Sequence, residues 1–595
     1  MPHQQPTEAP DLTFLQRALE KFETVDKAES TQRDNQLKDY KFSIGEQWDD
    51  ADKGLRAGRP MLVNNRTGQY IRQTTNQARQ SRPAIQINPV DSGSDPETAE
   101  ILQGLIRHIE TDSDADTAYS TASDWQVRSG VGYVRVVPEY IDETGENDNQ
   151  KLCIKAIRNR FTVFDDPAAV DPSGADRNIA FIVEDLEDEE YQRRYPDSEM
   201  ASTLRMFESV GAAPAGWYRK GHVRVAEVFV RELTRTTLKR EPPAIDRVVE
   251  KAVVKWAVIN GVEILEGNDD KSDGRVLPIP FIPLARAVGD VYDLDGVVDF
   301  RGITREAKDP QKLANYMDSA TAEMIALAPK APYVGAEGQF EGHPEWDTAN
   351  SKNWSKLEYK PTVDGVAGML PPPQRQAVEP PIQAMAIVGQ RAENNLRAVI
   401  GFVDVQEQER RAEQSGKAIL ARQRQGELSN SHYLDNLGRM IRHVGRILVA
   451  WVPHIYDAPR VMRILGNDDQ AKTVMIHAGN PPDPSQPLPP GVDKIYDLSM
   501  GKYDVTISVG QAFQTKRQEA FDAIGQIIQA APQMLQIFGD LYFENMDVPA
   551  ARQMGERLKM MLPPQLQDEQ QGQPPIPPQV QQQMQQLMQQ HELLT

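Results

Sequence analysis

Ser415-Gly416-Lys417 stands inside "RRAEQSGKAILARQRQGE", and a Gly-Lys pair opening a helix is how many phosphate-binding loops begin. Such a loop needs a glycine five positions before the pair and a serine or threonine directly after it. The backbone then cradles phosphate and the hydroxyl reaches magnesium. Here those positions hold Arg411 and Ala418, and the lead-in "DVQEQERRAEQS" is charged rather than a hydrophobic strand. The residues argue against a nucleotide site. "SGVGYVRV" puts Arg135 where a dinucleotide fingerprint wants its third glycine, so a strand start is the better reading. Asp112, Asp114 and Asp116 imitate the opening of a calcium loop. Thr117 replaces the turn glycine and Ser123 the final bidentate glutamate, which favours a solvated connection between helices. "HELLT" has the first His-Glu pair of a zinc-protease helix, with Thr595 where the second histidine belongs. His432, His443 and His454 recur every eleven residues. On a helix that is roughly 16 Å between neighbours, too far for one metal. No catalytic residue is nominated, and neither a metal nor a cofactor is expected.

The chain has 595 residues, so several domains are expected. Asp and Glu (87) outnumber Lys and Arg (66), for a net charge of -21. Tight nonspecific binding to nucleic acid needs clustered cations, and this balance excludes it while leaving weak, sliding contact open. Cys153 is the only cysteine, which rules out an intrachain disulfide framework. The start "MPHQQPTEAPDL" lacks a basic-then-apolar signal, and "ILVAWV" at 447–452 falls far short of a membrane span.

The elements that would position any site read as follows. Leu12, Leu15, Leu19 and Phe22 give a helical stripe, and helical character runs to about Arg82. "PAIQINPVD" is a short strand and "AEILQGLIRHIE" an amphipathic helix. From Val131 to about Ala287 the period becomes two, through "VGYVRVVPEYI", "KLCIKAI", "FTVF", "IAFIVE" and "HVRVAEVFVRE". Asn260-Gly261 predicts a tight hairpin with positive φ at both residues. Asp309 is expected as a helix N-cap with Pro310 at the first helical position. The apolar stripe of that helix is Leu313, Tyr316, Met317, Ala320, Met324 and Leu327. A second helix carries Ile382, Met385, Val388, Ala392, Leu396 and Val399. Each is a rod of roughly 28 Å, and the Pro-, Gly- and Trp-containing segment 329–379 lies between them. A third helix over 416–451 is polar in its first half. Its second half is amphipathic through Leu434, Leu437, Ile441, Val444, Leu448 and Trp451, with Gly426, Gly438 and Gly445 as bend points. Helices between Arg517 and Leu562 follow a strand "KYDVTISVG". Val580, Met584, Leu587, His591 and Leu594 trace two heptads at the end, either a helical tail or a disordered Gln-rich one.

This layout resembles the portal proteins of tailed double-stranded DNA bacteriophages, closest to the short-tailed podovirus type. The likeness is carried by "RPMLVNNRTGQYIRQTTNQARQSRPAIQINPVD", "RAVGDVYDLDGVVDFRGITREAKDPQKLANYMDSA" and "EQSGKAILARQRQGELSNSHYLDNLGRMIRHVGRIL". It implies an α+β, elongated multidomain subunit that forms a ring, typically of twelve. The implied parts are a wing or body over 1–298, stem helices over 299–328 and 380–403, and a β-containing clip over 329–379. A tunnel loop over 404–415 leads to a tunnel helix over 416–455. Residues 456–515 return to the wing, 516–562 form a helical crown, and 563–595 are a linker and short barrel-like tail.

The implied protein is not an enzyme. It is a head-to-tail connector at one capsid vertex of the virion, made in the host cytoplasm. Its channel passes DNA for packaging and ejection. Implied partners are the terminase large subunit, the major capsid and scaffolding proteins, tail adaptor proteins and, transiently, double-stranded DNA. Arg410, Arg411, Lys417, Arg422 and Arg424 are the candidate tunnel cations, interleaved with Glu407, Glu409 and Glu413. Salt bridges between neighbouring subunits are the alternative use of those cations. A packaging ATPase or nuclease and an internal scaffold or ejection protein are the competing readings.

Overall fold

The computed structural model describes residues 13–90, 95–141, 149–198, 217–219, 221–238, 247–327, 333–349, 352, 354–365, 368–375, 382–401, 430–457, 460–465, 471–477 and 495–508, with scattered helical positions between 524 and 557. Two units divide the chain. The first holds 1–79 with 84–508, and the second holds 80–83 with 509–595. The elements below belong to the first.

Helix α1 (Phe14–Ser43) begins with a capping box, in which Thr13 accepts from the Gln16 amide and the Gln16 side chain accepts from the Thr13 amide. Helices α2 (Asp50–Leu55) and α3 (Thr67–Gln80), strand β1 (Ala84–Pro89), and helices α4 (Pro96–Asp112) and α5 (Ala115–Ser129) follow. Then come β2 (Val131–Tyr140), β3 (Gln150–Ala156), β4 (Val163–Asp165), β5 (Ile179–Glu187), α6 (Asp188–Arg194), β6 (Tyr218–Arg219), β7 (His222–Leu238), β8 (Arg247–Ile259), β9 (Ile264–Glu266), β10 (Arg275–Leu277), β11 (Leu284–Val288), β12 (Asp290–Leu294) and β13 (Val297–Arg301). The period-two segments are strands, as their alternation predicts. An antiparallel seven-stranded sheet has the order β10-β8-β7-β5-β4, with β6 on β7 and β9 on β8. A three-stranded sheet has the order β11-β2-β3.

The next segment carries helix α7 (Ile303–Leu327), strand β14 (Tyr333–Val334), the single turn α8 (Glu345–Thr348), and strands β15 (Val363–Asp364), β16 (Gly368–Met369) and β17 (Gln374–Arg375). Helix α9 (Ile382–Ile400), helix α10 (Ser431–Ile455), and strands β18 (Arg460–Leu465), β19 (Ala471–His477), β20 (Ile495–Asp497) and β21 (Tyr503–Ser508) complete it. β21 returns to pair with β1, Ala84 opposite Ser508.

The largest core joins α4, α5 and α10 to β2, β3, β11, β1 and β21. Leu437, Ile441, Val444, Leu448 and Trp451 are all buried in it, as the amphipathic pattern predicts. A second core seats α1 on the seven-stranded sheet, where Phe22 lies 4.9 Å from Phe164, 5.1 Å from Phe181 and 5.2 Å from Trp217.

Two expectations are corrected. The Asn260-Gly261 hairpin forms, but its loop spans four residues between Ile259 and Ile264, and of the two only Gly261 has positive φ. Asn260 instead uses its side-chain oxygen to accept from the Val262 and Glu263 amides, an Asx-type turn. Gly445 sits at a close approach. A Cβ there would meet Val505 Cγ1 at 2.7 Å and Ile85 Cγ2 at 3.1 Å, so the glycine lets α10 lie against the β1–β21 ribbon. Pro310 does not start its helix. It sits inside α7, which begins seven residues earlier at Ile303. The proline deprives the Glu306 carbonyl of its usual donor. The first turns persist because Ile303 and Ala307 are buried with Ile71, Val127, Leu396 and Ile400, and because Arg305 and Lys308 both pair with the buried Asp39 at 2.7 and 2.5 Å.

Candidate functional site

Helices α7 and α9 enclose the 333–375 segment and pack against each other. Leu396 and Ile400, at the end of α9, share a cluster with Ile303 and Ala307, at the start of α7. The two helices therefore run antiparallel. Halfway along, Gly389 faces Met317, and a Cβ on the glycine would sit 3.8 Å from the Met317 Cβ.

α7 buries a second face beside the apolar one, and only part of the stripe its hydrophobicity predicts is covered. Leu313 and Tyr316 are 39% and 47% exposed. Gln311, Asn315 and Ser319, four residues apart, are instead buried. They receive an extended segment that runs back along the helix. The Leu62 amide donates to Ser319 Oγ at 2.9 Å, the Asn64 amide to Asn315 Oδ1 at 3.1 Å, and the Arg66 amide to Gln311 Oε1 at 3.1 Å. Gln311 Nε2 returns a bond to the Asn64 carbonyl at 2.7 Å, and Asn315 Nδ2 donates to Gln47 Oε1 at 2.6 Å. The registers match. Two extended residues advance about 6.7 Å, and four helical residues about 6.0 Å. One more step along the helix, Glu323 pairs with Arg56 at 2.9 Å and Arg59 at 3.5 Å. Arg66 then reaches across to an ion pair with Glu393 of α9.

On the side of α9 away from Leu396, Ile387 is 67% exposed, and Val388 and Val399 on its flank are exposed as well. The segment between the helices is organised by Trp346. Its ring takes edge contacts from Tyr333 (4.8 Å) and Phe340 (5.2 Å), and its Nε1 donates to the Glu358 carbonyl at 2.7 Å. Gln339, fully buried, accepts from the Ala336 amide and donates to the Pro371 carbonyl, closing β14–β17 over the loop.

Two perturbed titratable groups, Asp165 and His443, are held by the sheets and α10 rather than by this pair of helices. Asp165 is buried between the two sheets, with Arg177 Nε at 2.9 Å, Arg286 Nη1 at 3.0 Å and the Tyr133 hydroxyl at 3.2 Å. Burial alone would raise its pKa, but the two guanidinium groups outweigh that and hold the carboxyl below its usual range. Every oxygen of this carboxylate is engaged, and the arrangement works as a cross-brace between sheets. His443 is buried edge-on to Phe281 at 5.5 Å; burial, with Arg177 nearby, pushes its pKa down to about 3. His432 pairs with Asp290 at 2.9 Å and His454 is exposed, so the three histidines do not converge. Asp114 is the left-handed link between α4 and α5, while Asp112 pairs with Lys151 at 2.6 Å. Among the described residues, no group of three or more His, Cys, Asp or Glu side chains has the geometry of a metal site, and no helix is long and apolar enough to cross a membrane. Arg410, Arg411, Lys417, Arg422 and Arg424 lie outside the described residues, as do the first half of the third helix and the terminal heptads.

Sequence reasoning missed the polar row. Its signal was present in Gln311, Asn315, Ser319 and Glu323, a four-residue repeat of the kind that marks one helix face.

Residues 19–594 match the model of a family described as phage P22-like portal protein. The chain is 22% identical over 582 residues to a portal protein of Acyrthosiphon pisum secondary endosymbiont phage 1, a match that covers 89% of this chain and 78% of that protein.

Proposed function

The chain belongs to the phage P22-like portal protein family, a structural class whose members act as the capsid connector for DNA packaging, and from that membership we propose how its parts divide the task. Residues 1–298 form the wing, 299–328 and 380–403 the stem, and 329–379 the clip. Residues 404–415 are the tunnel loop, 416–455 the tunnel helix, 456–515 a return to the wing, 516–562 the crown, and 563–595 a linker and short tail. Twelve copies close a ring at one vertex of a capsid built in the host cytoplasm. The ring carries double-stranded DNA inward under a separate terminase motor and outward at ejection. The wing meets capsid and scaffolding proteins, and the clip meets terminase and later the tail adaptors.

The observation that carries this reading is the antiparallel α7–α9 pair enclosing a small β-containing tip. It is the arrangement expected of a stalk that leaves the body and returns to it. Exposed Leu313, Tyr316, Ile387 and Val399 on that pair also favour a chain that buries more surface in an assembly. Net negative charge suits a conduit, because it keeps phosphate from adhering. Arg410, Arg411, Lys417, Arg422 and Arg424 are the cations we assign to brief backbone contact.

Negative-stain images of the purified protein should show rings with an axial hole, and native mass spectrometry should give a mass of twelve chains. A chain that stays monomeric even with procapsid components would strike the reading. Reversing Arg410 and Arg411 to glutamate should lower packaging in an extract, and unchanged packaging would remove the tunnel-contact assignment alone.

A further inference from the structure

A trough of about 800 Å³ crosses the seven-stranded sheet on the face opposite α1. Its floor is a row of the sheet in which Ile182, Glu227, Val258 and Glu266 stand side by side. The next row on that face holds Phe229, Trp256 and Arg275. β2 borders the trough through Arg135 and Val137, and the end of α6 borders it through Arg194 and Tyr195. Ile182 and Trp256 are only partly buried there, so the floor offers apolar surface that the adjoining cores leave uncovered.

The composition of the lining is that of a protein contact. Trp, Tyr and Arg dominate the energetics of such contacts, and Lys, Asp and Ser are depleted. Trp256, Trp451, Tyr195 and four arginines line the trough, and no Lys, Asp or Ser is among its described lining residues.

Its charges give the partner a sign. Glu227 accepts from Arg135 at 2.9 and 3.2 Å, Glu184 pairs with Arg194 at 3.2 Å, and Glu266 accepts from the Tyr195 hydroxyl at 3.2 Å. Arg158 and Arg275 are exposed and form no ion pair among the described residues. Arg275 lies on β10 and Arg158 precedes β4, the two outer strands of the order β10-β8-β7-β5-β4. Four strand spacings separate those edges, roughly 19 Å, which an extended chain covers in about six residues. A ligand that answers both arginines and covers the floor is acidic at its ends and apolar between. A nucleic-acid strand does not match, because its regular phosphates would also meet Glu184, Glu227 and Glu266.

We propose that the trough docks an extended segment of a partner protein, about six residues long, with a carboxylate toward each end and apolar side chains between. Arg158 and Arg275 take the carboxylates, and Ile182, Val258 and Trp256 receive the middle. A lone chain carries the same trough, so docking does not depend on ring formation.

Binders selected on the full-length chain from a random dodecapeptide library, with affinity read by fluorescence polarisation, test this. The selected peptides should share two acidic positions roughly six residues apart, with aromatic or aliphatic residues between them. Arg158→Glu with Arg275→Glu should weaken their binding roughly tenfold. Both side chains are exposed, so the double variant should keep the wild-type melting temperature. A consensus without the acidic pair, equal affinity in the folded double variant, or no selected binder would each overturn the proposal. Fluorescent oligothymidylate should not bind. Binding of that strand, lost in the double variant, would hand the trough to a nucleic acid instead.

Discussion

Asp165 shows how much one carboxylate can organise. It gathers Arg177, Arg286 and Tyr133 from separate elements, and Arg286 goes on to donate to the Ala169 and Asp171 carbonyls at 2.9 and 2.7 Å. Removing its charge strands two buried guanidinium groups. Asp165→Asn should therefore cost about 3–5 kcal/mol in chemical denaturation. His443 gives a pH signature of known sign. Its pKa is near 3 in the folded chain against 6.5 for the ordinary side chain, so below pH 6.5 the unfolded state binds the extra proton. The His443 contribution is fully present above about 6.5 and is lost as pH falls toward 3, at about 1.4 kcal/mol per pH unit. Arg177, Arg446 and Asp171 are the charges that face it. In His443→Met the acid limb of the stability curve should be shallower by that slope, read from denaturant midpoints between pH 6.5 and 4. An identical limb would mean the histidine charges freely in the fold.

At the scale of elements, the least expected contact is the one between α7 and the 62–66 segment. Asn315→Ala would leave the Asn64 amide and Gln47 Oε1 without their partner. A loss of about 1–3 kcal/mol should follow, measured by thermal or denaturant unfolding. Gly445→Val would drive a side chain into Val505 and Ile85, with a cost of about 1–3 kcal/mol from overpacking. The identities of most elements were legible in the sequence. Alternation exposed β2, β3, β5 and β7, and the three- and four-residue spacing exposed α4 and the second half of the third helix. The polar face of α7 was not legible, because a hydrophobic stripe locates burial only where the partner surface is apolar. Here the partner is a run of backbone amides, so Gln311, Asn315 and Ser319 go inside while Leu313 and Tyr316 stay out. Pro310 misled for a related reason, since tertiary packing around Ile303 and Ala307 outweighs a local start signal. The tunnel cations were nominated through resemblance, with only their charge and neighbouring glutamates readable from the residues.

For the whole molecule, the formal charge of -21 on each chain sets the conditions for assembly. Copies brought together repel one another, and salt screens that repulsion over about 10 Å at 0.1 M. Ring formation should rise with ionic strength, followed by sedimentation velocity. A fall with added salt would mean that ion pairs between subunits outweigh the repulsion. The amides of Leu62, Asn64 and Arg66 meet Ser319, Asn315 and Gln311 in a row along α7. Each bond is modest, about 0.5–1.5 kcal/mol. Tension directed along the helix strains the whole row together, as in a lap joint. A force lifting one end of the segment opens the bonds singly, as in a zip fastener. The join is thus stiff to axial pull, and a pull along α7 passes into the segment that links α2 and α3.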